Sequence, residues 1–592
     1  TLIFSAKAEF VMAASAITVA IDALIKPTNV FMWETLTAVW KLRKSKAECW
    51  TRSFYSGNLF PLIEVNKFGQ TRWFLALMIG SAWALAFPEP RWSGLAWLVP
   101  GTLLILVNGS NAWRLFGLAF LASLVFRLVS LRFLLNIPHA PGAYSGWLAL
   151  SLFSALFPAI WVLMCGVFFR CGLIKVKWTW FKRFGFGLFA AALWVGIEMI
   201  QARILGGYPW NFLGVTQFEN QPLIQIASIT GVYGVSFLIV WLSVSLLFAA
   251  LQIRKKTANP WVWLYDLIVP CLFLMYACIF GFFRIGAFEE ESNRVKFAVV
   301  QPSIPQQLIW EPGSKDARLD KLLELSELAL LSKPDFLVWP ESSAPITQEK
   351  WPQLMQMLQS ANVPLIFGVD DVEKDPDSEK YNYYNSAAFM PIGGEAPVVY
   401  RKRRLVIFGE YIPFENIFPF MKYLSPIGGS FSSGKRSVQF PLNDNLSTMA
   451  PIICFEDSFP HGVREHVLPE TSLLVNLTND GWFGKGSAQW QHAANAVFRT
   501  VENGIPMVRS CNNGLSCWID SFGQVRRFFG EESEDIYGAG FIIFEIPILQ
   551  SINSTFYNKY GDIFGWFCLG FSFFVVVGGF VKRRLHKEDE FR

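Results

Sequence analysis

Long apolar segments set the strongest limit on how this chain can fold. Between residues 73 and 284, seven such segments follow one another, most of them close to the ~20 residues that an α-helix needs to cross a bilayer. Their bounds are 73–88, 94–112, 114–136, 145–169, 185–203, 231–252 and 262–284. An eighth segment, 561–581, precedes a basic tail. The sequence therefore predicts a multi-span α-helical membrane domain with about eight spans.

Composition agrees with a membrane protein and excludes several other classes. Hydrophobic residues make up 53% of the 592 residues and charged residues only 16%, which is more apolar than a water-soluble protein of this size. The net charge of +5 is spread over several loops, so we expect no nucleic acid partner. Nine cysteines contain no CxxC pair and five histidines no HExxH spacing, so we expect no zinc site, no other metal and no cofactor.

The chain divides into four parts by charge and hydropathy. We expect an N-terminal segment without an assigned role at 1–66, a membrane domain with seven spans at 67–289, a soluble domain at 290–560, and the eighth span with a basic cytoplasmic tail at 561–592. The soluble part alternates short apolar strands with helical stretches, which is typical of an α/β layered domain with a buried sheet. The strand candidates are 295–301, 335–341, 364–370, 384–392, 448–456, 472–480 and 506–514, and the helical stretches are 316–332 and 488–503.

Basic residues predict the orientation of the spans. Clusters follow the fourth, sixth and eighth segments, near Lys182, Arg254 and Lys582. Loops rich in Lys and Arg remain on the cytoplasmic side, and all three clusters fall on one side if there are eight spans. The soluble domain, which follows the seventh span, is then expected on the translocated side.

Three strand ends present residues that could act together. "LVWPESSAP" contains Glu341, "YRKRRLVIFGEYIPF" contains Lys402 and Glu410, and "PIICFEDS" contains Cys454. Taken singly, each residue has a purely structural interpretation. Cys454 could be a buried core thiol, as most cysteines are. Glu341 could be a turn residue after the proline, and Lys402 could face solvent together with the neighbouring arginines. A catalytic cysteine, however, requires a base or a nearby cation. Glu341 can supply the base and Lys402 the cation.

The order Glu…Lys…Cys within "WPES", "YRKRRLVIFGE" and "ICFED" resembles the nitrilase (carbon–nitrogen hydrolase) superfamily. The wider stretch 73–584 is similar to the apolipoprotein N-acyltransferase family, whose nitrilase-like αββα domain lies between the seventh and eighth spans. Further matching pieces are "GGYPWNFLGVTQ" (206–217), "VQPSIPQQLIW" (300–310), "NLTNDGWFG" (476–484) and "RSCNNGLSCWIDSFGQV" (509–525).

The resemblance implies roles for the matching positions. They are Cys454 as nucleophile, Glu341 as general base, Lys402 as the cation that stabilises thiolate and oxyanion, Glu410 as the residue that holds Lys402, Glu456 as a supporting acid, and Trp310 on a mobile loop at the lipid entrance. Phe455 belongs to the same substrate-binding set but stands where a tyrosine is frequent in the family. Ile407 replaces a usual proline. Neither departure removes a member of the triad.

The resemblance also implies a reaction. An acyl chain passes from a phospholipid, through a thioester on the cysteine, to the N-terminal amine of a diacylglyceryl-cysteine apolipoprotein. This would take place at a bacterial inner membrane, with the catalytic domain on the periplasmic side and the enzyme as a monomer. The main alternative is a membrane-tethered amidase or nitrilase that hydrolyses a small amide with the same triad. A transporter or scaffold with an inactive extra domain is a third possibility.

Two features permit more than one interpretation. Glu198 and Arg203 lie within or near a span, where charges are costly and often functional. They could bind each other, reach the membrane surface, or line a substrate cavity. Cys511 and Cys517 could be core thiols or, in an oxidising compartment, a disulfide.

Overall fold

The computed structural model describes most of the chain, and all described residues belong to one compact unit. These are residues 69–107, 111–168, 179–254, 259–286, 293–309, 312–343, 350–374, 379–393, 395–413, 415, 417, 419–424, 429–442, 447–533, 535–548 and 554–590. The predicted N-terminal segment 1–66 and Trp310 lie outside them. The bounds of the four predicted parts remain predictions.

Helices dominate the first part of the described chain. They are α1 Gly69–Leu85, α2 Val99–Ile105, α3 Ala112–Ser130, α4 Ala140–Phe168, α5 Trp180–Gln201, α6 Gln221–Ile224, α7 Ala227–Thr230, α8 Val232–Arg254 and α9 Leu264–Gly286. Among the described residues, α3, α4, α5, α8 and α9 are long and apolar enough to cross a membrane. The first predicted span corresponds to α1, which has 17 residues.

The predicted second span, 94–112, is wrong as a continuous membrane-crossing helix. Its described part consists of a 3₁₀ turn, Ser93–Trp97, and the seven-residue α2. A helix of that length rises only ~10 Å, about a third of the hydrocarbon core. The segment is apolar because it is buried: the Gly101 N–H donates to Ser243 Oγ of α8 at 2.9 Å, and a Cβ on Gly101 would lie 2.4 Å from the Ser243 carbonyl oxygen.

The remaining described chain contains twelve strands and further helices. The strands are β1 Arg294–Gln301, β2 Phe336–Val338, β3 Leu365–Lys374, β4 Tyr381–Met390, β5 Val398–Arg401, β6 Phe440–Pro441, β7 Thr448–Ile453, β8 Thr471–Thr478, β9 Met507–Cys511, β10 Cys517–Ile519, β11 Val525–Phe528 and β12 Gly540–Pro547. The helices are α10 Gln306–Ile309, α11 Lys315–Leu330, α12 Trp351–Ala361, α13 Pro460–His466, α14 Ala488–Asn503, α15 Phe556–Tyr560 and α16 Ile563–Glu590. Helix α16 contains residues 563–581 of the predicted eighth apolar segment, 561–581.

The strands form two six-stranded sheets. Their orders are β12-β1-β2-β3-β4-β5 and β11-β10-β9-β8-β7-β6, and in each sheet the central pairs are parallel whereas the outer pairs are antiparallel. Side chains alternate between faces as the strand period requires. On β1, Phe297 and Val299 enter the core between the sheets, whereas Ala298 and Val300 pack against α11 and α12. The predicted αββα architecture is thereby confirmed.

Helix α14 covers the outer face of the second sheet and is itself covered by the membrane helices. Every residue of α14 except Trp490 is buried. Gln491 donates to the backbone oxygens of Pro88 and Ser130, at 3.0 and 3.3 Å, and its side-chain oxygen accepts from Trp210 Nε1 at 3.0 Å. One hydrophobic cluster includes residues of the second sheet, of α14 and of the membrane helices. The α/β domain therefore shares its core with the membrane helices.

The other end of α14 caps a membrane helix. Glu502 Oε1 accepts the N–H of Val232, the first residue of α8, at 2.9 Å. A carboxylate at a helix N-terminus satisfies an unpaired N–H and interacts favourably with the helix dipole. Arg499 binds Glu502 at 2.9 Å and also donates to the carbonyl oxygen of Ser458 at 3.4 Å. One charged pair thus joins α8 to the turn that follows β7.

We expect Gln491→Ala to destabilise the protein by about 3 kcal/mol. The substitution leaves the Pro88 and Ser130 carbonyls and the Trp210 indole N–H buried without a partner, and each such group costs about 1–3 kcal/mol. Thermal unfolding in detergent measures the loss. Gln524→Ala, at an exposed position, is the control and should unfold at the wild-type temperature. An equal unfolding temperature for the two variants would contradict the role of Gln491.

Candidate active site

Cys454 lies where β7 ends and a 3₁₀ turn begins. Its backbone is left-handed, with φ of +50°, a conformation that costs a non-glycine residue free energy and that clusters at functional sites. The Cys454 N–H donates to Asn476 Oδ1 on the neighbouring strand β8 at 3.1 Å. The side chain is partly buried, and its sulfur is hydrogen-bonded to Thr478. The turn therefore presents the thiol beyond the end of the parallel strands.

Lys402 lies between two carboxylates. Its Nζ is 2.8 Å from Glu410 Oε1 and 3.4 Å from Glu341 Oε1, and all three side chains are buried. Asn385 on β4 joins the same two carboxylates, since its Nδ2 donates to Glu341 at 2.8 Å and to Glu410 at 2.6 Å. Sequence reasoning missed Asn385, which has no motif of its own within "YNSAAF". Two carboxylates, one ammonium and one amide form a tightly bonded group.

Strand ends position these residues. Lys402 directly follows β5, and its N–H donates to the Asn385 carbonyl oxygen at 2.8 Å. Glu341 follows β2, and its backbone lies very close to the backbone of β3. A Cβ on Gly368 of β3 would lie 2.6 Å from the Glu341 Cα. Only glycine permits that approach. Glu410 accepts the Val406 N–H at 2.8 Å through its second oxygen, which fixes its carboxylate relative to Lys402.

The charges define the protonation states at rest. Burial raises the pKa of the Cys454 thiol well above its usual value, the Glu341 carboxylate raises it further, and the Lys402 ammonium opposes both. Burial lowers the pKa of Lys402, but Glu410 and Glu341 together raise it above its ordinary value. The resting site therefore holds a neutral thiol and a charged ammonium. A role as nucleophile would require the thiol to lose its proton, and Glu341 and Lys402 both act on the sulfur electrostatically.

Glu456 connects the loops that carry Lys402 and Cys454. Its carboxylate accepts from Tyr400 OH at 2.8 Å, from the Arg403 N–H at 2.8 Å and from the Ile453 N–H at 2.8 Å. Tyr400 and Arg403 flank Lys402, and Ile453 precedes Cys454. The Glu456 carboxylate accepts all three hydrogen bonds. It therefore connects the strand end that carries Lys402 to the one that carries Cys454.

Phe455 begins an aromatic surface that leads to the membrane helices. Its ring lies 5.9 Å from Tyr208, 6.0 Å from Trp210 and 5.1 Å from Phe459, measured between centroids. Phe455 packs against a hydrophobic cluster that reaches along α3 and α4. Its buried members are Leu124, Leu128, Leu131, Phe133, Trp147, Ala155, Trp210 and Ala488. The residue next to the thiol is thus in one apolar cluster with side chains of two membrane-crossing helices.

The structure decides between the alternative interpretations of two residue pairs, Glu198 with Arg203 and Cys511 with Cys517. Glu198 and Arg203 are not paired: Glu198 accepts from Trp194 Nε1 and from the Leu213 N–H, both at 2.9 Å, whereas Arg203 binds Asp562 at the start of α16. Cys511 and Cys517 are both buried and free, so the disulfide alternative is wrong in this structure. Trp310 lies outside the described residues.

Comparison with known proteins gives two matches to family models. The apolipoprotein N-acyltransferase N-terminal domain matches residues 79–245, and the carbon–nitrogen hydrolase family matches residues 296–546. Together these ranges contain four of the predicted spans completely, two more in part, and every predicted catalytic residue.

Relatives of similar length match over most of the chain. Apolipoprotein N-acyltransferase of Geobacter metallireducens is 31% identical over 523 residues, which cover 87% of this chain and 96% of the relative. Apolipoprotein N-acyltransferase 1 of Treponema denticola is 29% identical over 545 residues, covering 82% and 96%. The enzyme of the same name from Rickettsia prowazekii is 33% identical over 338 residues, covering 56% and 65%.

The charges around Cys454 predict opposite changes in thiol reactivity. Glu341→Gln removes a negative charge that raises the thiol pKa, so the pH at which iodoacetamide alkylation reaches half its maximal rate should fall. Lys402→Met removes a cation that lowers the pKa, so this midpoint should rise. Lys485→Met, at an exposed lysine, is the control and should leave the midpoint unchanged. Shifts in the same direction for the first two variants would contradict the proposed electrostatics.

Proposed function

The chain belongs to the apolipoprotein N-acyltransferase family and is an N-acyltransferase, and we propose that it moves an acyl chain from a membrane phospholipid to the N-terminal α-amine of a diacylglyceryl-cysteine apolipoprotein. Lipid and lipoprotein are then its substrates, and no cofactor is required. The observation that carries the proposal is the continuous apolar cluster from α3 and α4 to Phe455, beside the thiol. A soluble amide would need no such connection to membrane helices.

The first half of the reaction forms a thioester. The Cys454 sulfur attacks the ester carbonyl of the phospholipid while its proton passes to the Glu341 carboxylate. A base is required at this moment because burial keeps the thiol neutral at rest. Lys402 stabilises the negative charge that develops on the carbonyl oxygen. The tetrahedral intermediate collapses, the lysophospholipid alkoxide takes the proton from Glu341, and the acyl chain remains on sulfur.

The second half transfers the chain to nitrogen. The free amine of the apolipoprotein attacks the thioester carbonyl and gives a proton to Glu341, and the Cys454 thiolate leaves. The thiolate then recovers the proton, so the enzyme returns to its starting state. Two substrates that react in turn with one cysteine predict ping-pong kinetics. Glu410 and Asn385 hold Lys402 and Glu341 through both halves.

Exclusion of water decides between transfer and hydrolysis. A thioester open to solvent would hydrolyse, and the enzyme would act as a phospholipase. Phe455 together with Tyr208, Trp210 and Phe483 makes the surface beside Cys454 apolar. This surface supports an acyl chain bound from the bilayer and disfavours water. The alternative of a small-amide hydrolase gains no comparable support.

The location follows from the same proposal. Both substrates are anchored in a membrane, and we place the enzyme in the bacterial inner membrane with residues 290–560 on the periplasmic side. The basic tail that follows the eighth span, 561–581, then lies in the cytoplasm. The basic residues in the loops support this orientation. We further propose that Trp310 contributes to the lipid entrance and that the enzyme acts as a monomer.

Acyl labelling tests the proposed chemistry. Purified enzyme incubated with a phospholipid labelled in its acyl chain should acquire a stable label that hydroxylamine removes. Cys454→Ala should acquire none, whereas Cys271→Ala, which removes an exposed thiol from α9, should label as the wild type does. Glu341→Gln should slow labelling at least ~100-fold, because general base catalysis contributes a factor of about 10²–10⁴.

Three results would refute the proposal. Label on Cys454→Ala would show that the acyl chain is held by another group. No label on the wild type, together with hydrolysis of simple amides, would favour the tethered amidase, and complete inertness would favour an inactive domain.

A reporter fusion tests the orientation separately. A phosphatase that is active only after translocation, fused after residue 300, should be active, and the same reporter fused after residue 256 should be inactive. The positive-inside distribution predicts opposite sides for these two points. Activity of both fusions, or of the second alone, would contradict the predicted orientation.

A further inference from the structure

A cluster of four charged side chains lies behind the nucleophile and has no part in the proposed proton transfers. It consists of Asp457, Asp480, His492 and Arg509, and each is buried. Arg509 binds Asp457 Oδ2 at 2.6 Å and Asp480 Oδ2 at 3.0 Å. His492 binds the other oxygens of the same two carboxylates, through Nε2 to Asp457 at 2.9 Å and through Nδ1 to Asp480 at 2.8 Å. Two cations thus bridge two anions in a closed ring.

The ring is attached to both backbone groups of Cys454. Asn476 donates to Asp457 Oδ2 at 2.7 Å, and its side-chain oxygen accepts the Cys454 N–H at 3.1 Å. The Cys454 carbonyl oxygen lies 3.2 Å from His492 Nε2, the nitrogen that also faces Asp457. The N–H and the C=O of the one residue with the reactive thiol are therefore both connected to the same charged ring.

The attachment coincides with the left-handed conformation of Cys454. A φ of +50° is unfavourable for a residue with a Cβ and persists only where the surroundings enforce it. Hydrogen bonds to the N–H and the C=O of the same residue restrict the rotations on either side of its Cα, and so they restrict the direction of the thiol.

The ring is electrically balanced when His492 is protonated. Burial and Arg509 lower the pKa of His492, but Asp457 and Asp480 raise it to about 9. Burial raises the pKa of Asp480, whereas His492 and Arg509 lower it to about 2. Two anions then face two cations, so the ring has no net charge at neutral pH. From the other elements, the Trp210 ring faces His492 at 5.4 Å between centroids.

We propose that His492 is a positioning residue for the nucleophile, which holds Cys454 in its left-handed conformation through the Cys454 carbonyl oxygen, with Asp457, Asp480 and Arg509 fixing the imidazolium in place. This inference rests on the proposed function, since the direction of the thiol matters for attack on a lipid ester. His492 touches neither substrate nor sulfur in this assignment and acts through the backbone. The shift of a nucleophile by about 1 Å can cost a factor of 10² in rate.

Two substitutions at the same position separate geometry from charge. Asn can replace the Nδ1 contact to Asp480 but does not reach the Cys454 carbonyl, whereas the Gln amide nitrogen can replace Nε2 and donate to it. We expect His492→Asn to slow single-turnover acylation of Cys454 about 100-fold with the KM for phospholipid within about twofold of wild type. We expect His492→Gln to recover at least about tenfold of that loss.

Val508→Ala controls for damage to the fold. Val508 is buried in β9 beside Arg509, and its side chain enters the core between the sheets rather than the ring. Its truncation should lower the thermal unfolding temperature while acylation stays at the wild-type rate. A similar loss of rate in Val508→Ala, at an equal loss of unfolding temperature, would overturn the proposal. A wild-type rate in His492→Asn, or a loss confined to KM, would also overturn it.

A second readout needs no acyl donor, so it distinguishes failure of this inference from failure of the proposed function. The sulfur faces Glu341, Lys402 and Asp480. At pH 7, where His492 is protonated in the wild type, loss of the imidazolium leaves one anion of the ring uncompensated. The rate of iodoacetamide alkylation of Cys454 at pH 7 should therefore fall in both His492 variants and return toward wild type when Asp480→Asn is added. If wild type forms no acyl-enzyme, the proposed function fails, but these alkylation rates still test the ring. An unchanged alkylation rate in His492→Asn would overturn the proposal.

Discussion

The burial of α14 between the second sheet and the membrane helices is the constraint on which the rest of the structure depends. A helix that is covered on every side must satisfy its polar groups within the protein. Gln491 does so with backbone and side-chain groups from three membrane-domain segments, and Glu502 does so with the first N–H of α8. These bonds fix the position of the second sheet relative to the membrane helices. They therefore also fix the end of β7, where Cys454 lies.

The active site repeats that principle at a smaller scale. Lys402 is a buried cation that two carboxylates stabilise, and a buried ion pair of this kind contributes more to the geometry of the site than to the stability of the fold. The Cys454 thiol, in contrast, is neutral at rest. In the proposed reaction the site therefore keeps its positive charge permanently in place and generates the negative charge only during attack. Electrostatic preorganisation of this kind stabilises an oxyanion effectively.

Much of this architecture could be read from the sequence, and the failures share a cause. The runs around β1, β7 and β8 have the period and length of buried strands, and Glu341, Lys402 and Cys454 follow such strands in recognisable motifs. Apolar composition alone cannot separate a membrane-crossing helix from a buried one, so the sequence predicts a span where the structure has the short helix α2. Asn385 on β4 and His492 on α14 make contacts with segments that are distant in the sequence, and no local pattern predicts these contacts. Trp310 and the first 66 residues lie outside the described chain.

The bond from Glu502 to Val232 has a consequence for how such enzymes can be divided or recombined. We expect that the α/β part cannot be released as a water-soluble protein by cutting near residues 290 and 560. The apolar face of α14 would then be exposed, and the Glu502 carboxylate would lose the Val232 N–H that it accepts. Grafting it onto a foreign anchor would meet the same obstacle. The membrane region and the hydrolase-like region depend on the same contacts. Chimaeras between relatives should therefore take both α8 and α14 from the same parent.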